Sequence, residues 1–232
     1  MHDPGTDPLS PLAKKIIDAG SYRALVITGE KNKLARDLLE NVTPNQLLAV
    51  PVKDPVAAYA MLGALWLWHD VLNESHAIVQ KKPQDLHRSA LNLHSKGSKT
   101  GLNVLRVQSV ENAKSEDQQQ LRQEADTLAF WHAIMHRREG DFSNAKYWYA
   151  RCASHAILPS LGAQASAYLN PMPADKSLLR LTASGWNPSA FVDFVEHLHD
   201  HPNDPRHKIA VALQQLEWRV LFDHCTRAAA GQ

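Results

Sequence analysis

Five prolines in this chain directly follow a capping residue at the head of a helical pattern: Ser10-Pro11, Thr43-Pro44, Asp54-Pro55, Asn187-Pro188 and Asp204-Pro205. A short polar side chain at the N-cap accepts an otherwise unpaired backbone N–H. Proline at the next position has its φ already set for a helix and lacks the N–H that would go unpaired. Five such starts commit most of the chain to helix. Ser10-Pro11 opens a short helix that ends near Gly20, Lys33 to Glu40 forms another, and Thr43-Pro44 caps a short one. Asp54-Pro55 starts the first long helix, with an apolar stripe of Leu62, Leu65 and Trp66. Asn187-Pro188 caps a helix through about His199. Asp204-Pro205 opens the last, to about Ala228, with Ile209, Leu213, Leu216 and Val220 spaced four, three and four apart. The segment Tyr22–Thr28 has strand propensity but no strand to pair with, so it is read as part of a helical fold.

The expected fold is therefore all-α, built of antiparallel helical hairpins or a bundle in a single domain spanning 1–232. Residues 1–53 supply N-terminal helices, and 54–80 with 125–232 supply the core. Between them, 81–124 is polar, poor in aromatics and holds Gly97 and Gly101 close together. It reads as an insertion, partly mobile, with a helix from about Ser115 leading into the next unit. Past the central hairpin, Pro159, Pro171 and Pro173 break up a looser passage.

A formal net charge of +1 gives no footprint for a polyanion, so nucleic acid is not expected as a partner. No apolar run nears the ~20 residues that span a bilayer, since the stretch from Ala57 to Trp68 stops at His69-Asp70. The first residues lack a secretory pattern. Cys152 and Cys225 cannot make a disulfide framework and fit a reducing, cytoplasmic setting for a soluble protein.

Chemistry concentrates in Phe130–Cys152, FWHAIMHRREGDFSNAKYWYARC. Gly140-Asp141 closes one helix, and Ser143 is a plausible N-cap for the next, Asn144 to Cys152. The spacing from Gly140 to Ala145 is that of a tetratricopeptide hairpin turn. This echo is weak, because one unit matches well and no ~34-residue period emerges. At ~100° per residue, Leu128, Trp131 and Met135 form the apolar side of the first helix. His132 and Glu139 fall within ~40° of Leu128 and His136 within ~80°, so H-x3-H-x2-E shares one inward-leaning face. Arg138 lies beside Trp131, while Arg137 points outward.

His69 sits within the stripe of its own helix, and His76 would lie above it if that helix ran on unbroken; a turn in Asp70–Glu74 is the alternative. Asp223 and His224 flank the stripe of the last helix. The candidate ligand-binding residues are thus His69, His76, His132, His136, Arg138, Glu139, Asp223 and His224. Burying such groups is costly unless they are hydrogen-bonded, suitably protonated or bound to something. His69, His132 and His136 form the candidate set for a divalent transition metal such as zinc, nickel or iron, with a fourth position open to water. Alternatively, His132, His136 and Arg138 line a pocket for a small anionic molecule. The competing explanation is ordinary core packing, since a histidine on an apolar face is more often a satisfied core residue than a ligand. His197, His199 and His201 look like a metal tract but end a helix beside Pro202 and read as solvated. Trp66, Trp68, Trp148 and Trp218 read as packing residues. Neither cysteine has an activating neighbour, and no phosphate loop or nucleophile elbow is present.

The segments WLWHDVLNESHAIVQ, FWHAIMHRREGDFSNAKYWYARC, WNPSAFVDF and LEWRVLFDHC resemble a family of uncharacterised, mostly bacterial helical proteins. Members of that family have a much shorter connection where this chain carries 81–124, which supports the insertion but implies no activity. A looser resemblance is to the DinB-type helical bundles, whose metal site takes one histidine from one helix and H-x3-H from another. His69 with His132 and His136 imitates that arrangement, whereas the Gly140–Ala145 hairpin and the C-terminal helices depart from it. The sequence names no reaction and decides no oligomeric state. It points first to an internal histidine/carboxylate pocket for a small ligand or metal ion. The alternatives are a helical-hairpin scaffold that binds another protein, and a metal-dependent hydrolase.

Overall fold

The computed structural model describes residues 7–20, 24–27, 33–95, 110–172 and 175–232. Among these, eleven α-helices and a 3-10 turn make up the fold: α1 Pro11–Asp18, α2 Lys33–Leu39, the turn Pro44–Leu47, α3 Pro55–Trp68, α4 Leu72–Val79 and α5 Pro83–Ser95, then α6 Val110–Glu139, α7 Phe142–Arg151, α8 Leu158–Leu169, α9 Lys176–Thr182, α10 Pro188–Leu198 and α11 Pro205–Ala230. Extended pairing among them is limited to two isolated bridges, Leu9 with Leu48 and Ala183 with Gly185. The all-α expectation holds.

The caps explain the boundaries. The side chains of Ser10, Asp54, Asn187 and Asp204 each accept a first-turn N–H, from Ala13, Ala57, Ala190 and Arg206, ahead of a proline. Gly231, with φ of 77°, closes α11 in the left-handed conformation that glycine adopts without strain. Two starts differ from expectation. Asp141, not Ser143, caps α7 by accepting from Asn144 N–H. Pro159 stands in the first turn of α8 rather than breaking a loop, and Asp175 caps α9.

α3 is the axis of the core. It is apolar on every side and buried on nearly every side, as expected of a helix that neighbours surround. It contacts α1, α4, α5, α6, α11 and the 3-10 turn. Its small residues let those neighbours approach: a Cβ on Gly63 would sit 3.1 Å from Val79 of α4. The C-terminal half of α6, Leu128 to Arg138, is also buried on all sides. A one-sided stripe therefore understated the burial of both helices.

Both ends of the 81–124 segment belong to the helical packing. α5 packs on α3 and α6 with Leu86 buried, and Glu124 of α6 is buried as well. Residues 96–109 of this segment, expected to be partly mobile as a whole, lie outside the described residues. Ala24–Ile27, within the segment of strand-like propensity, is not helical; it buries Leu25 and donates Ile27 N–H to the Arg138 carbonyl. No described helix is long and apolar enough to cross a membrane.

Candidate metal centre

α3 does not run on into α4. Asp70 adopts φ of 64°, rare for a residue with a side chain, and the chain turns between Trp68 and Leu72. That turn decides which histidine meets α6. His76, in the last turn of α4, faces His132 and His136 of α6, with ring centroids 4.8 and 5.5 Å away. His132 and His136 are themselves stacked at 4.7 Å. One nitrogen from each of the three lies within 4.8 Å of the others. A tetrahedral zinc with bonds of about 2.0–2.1 Å sets its nitrogens roughly 3.3–3.4 Å apart, so small side-chain rotations would close the set.

His69 does not join them. Its Nε2–H donates to the Ile16 carbonyl at 2.8 Å, and a Cβ on Gly20 would lie 2.5 Å from its ring. With Trp68 Nε1–H on the Ile17 carbonyl, it satisfies the C-terminal end of α1. The expected trio of His69, His132 and His136 is therefore replaced by His76, His132 and His136. The reason is the turn at Asp70, which points His69 back toward α1 and brings α4 against α6.

His132 is the unusual member. It is only 4 % exposed, yet neither ring nitrogen has a hydrogen-bond partner. One face stacks on Trp148 of α7 at 4.1 Å. Burial, reinforced by the fields of His136 and His76, pushes its pKa down to about 3, so the ring is neutral and its lone pair available. Burial also lowers the pKa of His76. His136 is oriented on both sides: Nδ1–H donates to Glu139 at 2.9 Å, and Asn144 donates its amide to Nε2 at 3.1 Å. Glu139 is exposed, and with Asp141 it forms a second donor group around His136.

The other candidates lie apart. Arg138 is fully buried and ion-paired with Asp70 across the α3–α4 turn, so it clamps the backbone rather than a ligand. Asp223 is exposed and pairs with Arg227 one turn on. His224 turns away from the cluster and packs edge-on to His155 at 5.1 Å. The expected single interior for His69, His132 and His224 is thus three separate places.

Arg137, expected to point outward, is the opposite. It is 0 % exposed and donates to Glu217 of α11 at 2.6 Å and to the Tyr149 hydroxyl at 2.6 Å, with Phe191 under its guanidinium at 4.6 Å. Glu217 also accepts from Tyr149 at 3.0 Å and from Trp186 at 3.3 Å. The buried face of α11 accordingly runs through Leu213, Glu217 and Leu221, while Ile209, Leu216 and Val220 are half-buried. The apolar stripe misplaced that face because a carboxylate belongs to it.

Sequence reading also missed His155, Asn144 and Glu124. The carboxylate of Glu124 accepts from His87 and Gln120, each at 3.0 Å. His155 accepts Ile157 N–H at Nδ1 and meets Thr127 Oγ1 at 3.0 Å through Nε2, which fixes its tautomer. The one available signal concerned Asn144, which the hairpin reading already placed at the start of the helix that follows Gly140-Asp141. No family model matches the chain, and it matches no curated protein and no solved structure.

Proposed function

We propose that the chain binds a divalent transition metal, zinc by preference, through His76, His132 and His136. The carrying observation is His132, buried with both ring nitrogens unpartnered between two other imidazoles. Buried polar groups are normally satisfied, and an exception calls for a cause. A metal ion would take up the His132 lone pair, and three imidazoles make a donor set suited to zinc, nickel or iron. Glu139, which accepts from Nδ1–H of His136, would serve as the outer carboxylate that orients a metal-binding histidine and raises its basicity. In that state His136 binds through Nε2, and Asn144 gives up its contact there. Three protein ligands leave a fourth position for water, which is what hydrolytic use of the site would require.

Elemental analysis of tag-free protein tests this, together with titration of Co2+ into chelator-treated protein. Near-stoichiometric metal and tetrahedral visible bands that vanish in His132→Ala are expected. Metal-free protein with no Co2+ bands and no change in thermal stability on chelation would return the three rings to core packing.

A further inference from the structure

Away from the imidazole cluster, and sharing none of its residues, a cavity of about 260 Å³ opens where the N-terminus of α3, the middle of α6, the loop after α7 and the end of α11 meet. Asp54, Glu124, Asp126, Thr127, His155 and His224 contribute to its wall. Three of these six are carboxylates, and no lysine or arginine is among the described lining residues. The two imidazoles do not offset that charge. Burial holds His155 neutral, with its pKa down at about 4, and burial together with Arg227 lowers His224.

The carboxylates differ in how far they are already used. Asp54 caps α3. Glu124 is held by His87 and Gln120, yet burial still raises its pKa, and the field of Asp54 adds to that rise. Asp126 is half-buried and makes no ion pair or hydrogen bond among the described residues; burial raises its pKa against the field of Arg151. A cavity walled by three carboxylates and, among the described lining residues, no lysine or arginine, with neutral acceptors beside it, gains from a cation. A single metal ion does not suit it. Among the described residues, the sets of three metal-type donors within 4.8 Å of one another lie elsewhere, at His76, His132 and His136 and around Glu139. Carboxylate, imidazole and hydroxyl acceptors that are not gathered into such a set suit a molecule that carries its donors on a short frame.

We infer that this cavity is a binding site for a small organic cation bearing an ammonium group. The N–H donors pair with Asp126 and with the lone pairs of the His224 imidazole and Thr127 hydroxyl. Glu124 and Asp54 add to the negative potential.

Calorimetric titration of 1,4-diaminobutane into the chelator-treated full chain tests this. Because that protein carries no metal, the outcome is independent of the metal reading. Saturable one-to-one binding is expected, weakened at least about tenfold by Asp126→Asn, since a charge-assisted bond is replaced by a neutral one. Ala228→Leu, which narrows the cavity from its α11 side, is expected to weaken binding while leaving the circular dichroism spectrum unchanged. Neutral 1,4-butanediol and anionic succinate serve as probes of similar length. Failure of the diamine to saturate, equal binding by the diol or by succinate, or unchanged affinity in Asp126→Asn would each overturn the inference.

Discussion

Replacing Glu217 by glutamine is expected to be one of the most damaging isosteric changes available in this chain. Glu217 lies at 0 % exposure and neutralises an equally buried Arg137 at 2.6 Å, while also accepting from Tyr149 and Trp186. Glutamine keeps the shape and an acceptor oxygen for those two donors but removes the charge that Glu217 sets against the guanidinium. Removing one partner of a buried pair costs about 3–5 kcal/mol. For a chain of this size each kcal/mol moves the melting temperature by about 2–4 °C, so a fall of roughly 6–20 °C follows. Adding Arg137→Met removes the buried guanidinium charge, fills similar volume against Phe191 and is expected to restore at least about half of the loss. Urea denaturation of all four corners of the cycle, with slopes compared to confirm the same extent of unfolding, measures the coupling. A cost below about 1 kcal/mol for Glu217→Gln, or simple additivity with Arg137→Met, would refute the account of this pair as an interdependent buried unit.

Three further outcomes are expected. His155 is buried and neutral with its pKa depressed from 6.5 to about 4, so its contribution is complete above pH 6.5 and is lost as the unfolded chain takes up a proton below that. The span corresponds to about 3 kcal/mol, and His155→Gln should flatten that part of the stability–pH curve when denaturation midpoints near pH 7 and pH 4.5 are compared. Glu139→Gln removes the carboxylate behind His136 and is expected to weaken zinc binding about 10–100-fold in competition with a chromophoric chelator, with little change in stability without metal; unaltered affinity would show that Glu139 does not support the site. Gly20→Ala places a Cβ about 2.5 Å from a His69 ring that the Ile16 carbonyl holds in position, and a destabilisation of about 1–3 kcal/mol should appear in thermal melts.

Helix starts were legible because capping is local. Ser10, Asp54, Asn187 and Asp204 need only the next few residues to do their work, and each does it where expected. His132, His136 and the nearby Glu139 were legible for the same reason, since helical spacing fixes which side chains share a face. The third histidine was not. Choosing His76 over His69 turned on Asp70 adopting a left-handed backbone, and an aspartate does not announce this as a glycine would. Arg137 and Glu217 were hidden for a different reason. Eighty residues apart in sequence, each looks like a surface charge, and only their meeting makes burial tolerable. The cavity near His224 depends on four elements at once, so no single stretch carries its pattern.

The Asp70–Arg138 pair bears on the proposed metal site. It fastens the turn leading into α4 to the last turn of α6, the same two helices that a metal at His76, His132 and His136 would bridge. α4 is short, and its N-cap, Val71, offers no side-chain bond. Its position therefore depends on that ionic latch, on the Arg36–Glu74 pair that ties it to α2, and on its packing against α3 and α6. Latch and metal would close a single mechanical loop, each holding in place what the other needs. By thermodynamic reciprocity, loosening Asp70 would lower metal affinity without touching a ligand, and bound metal would tighten the latch in return.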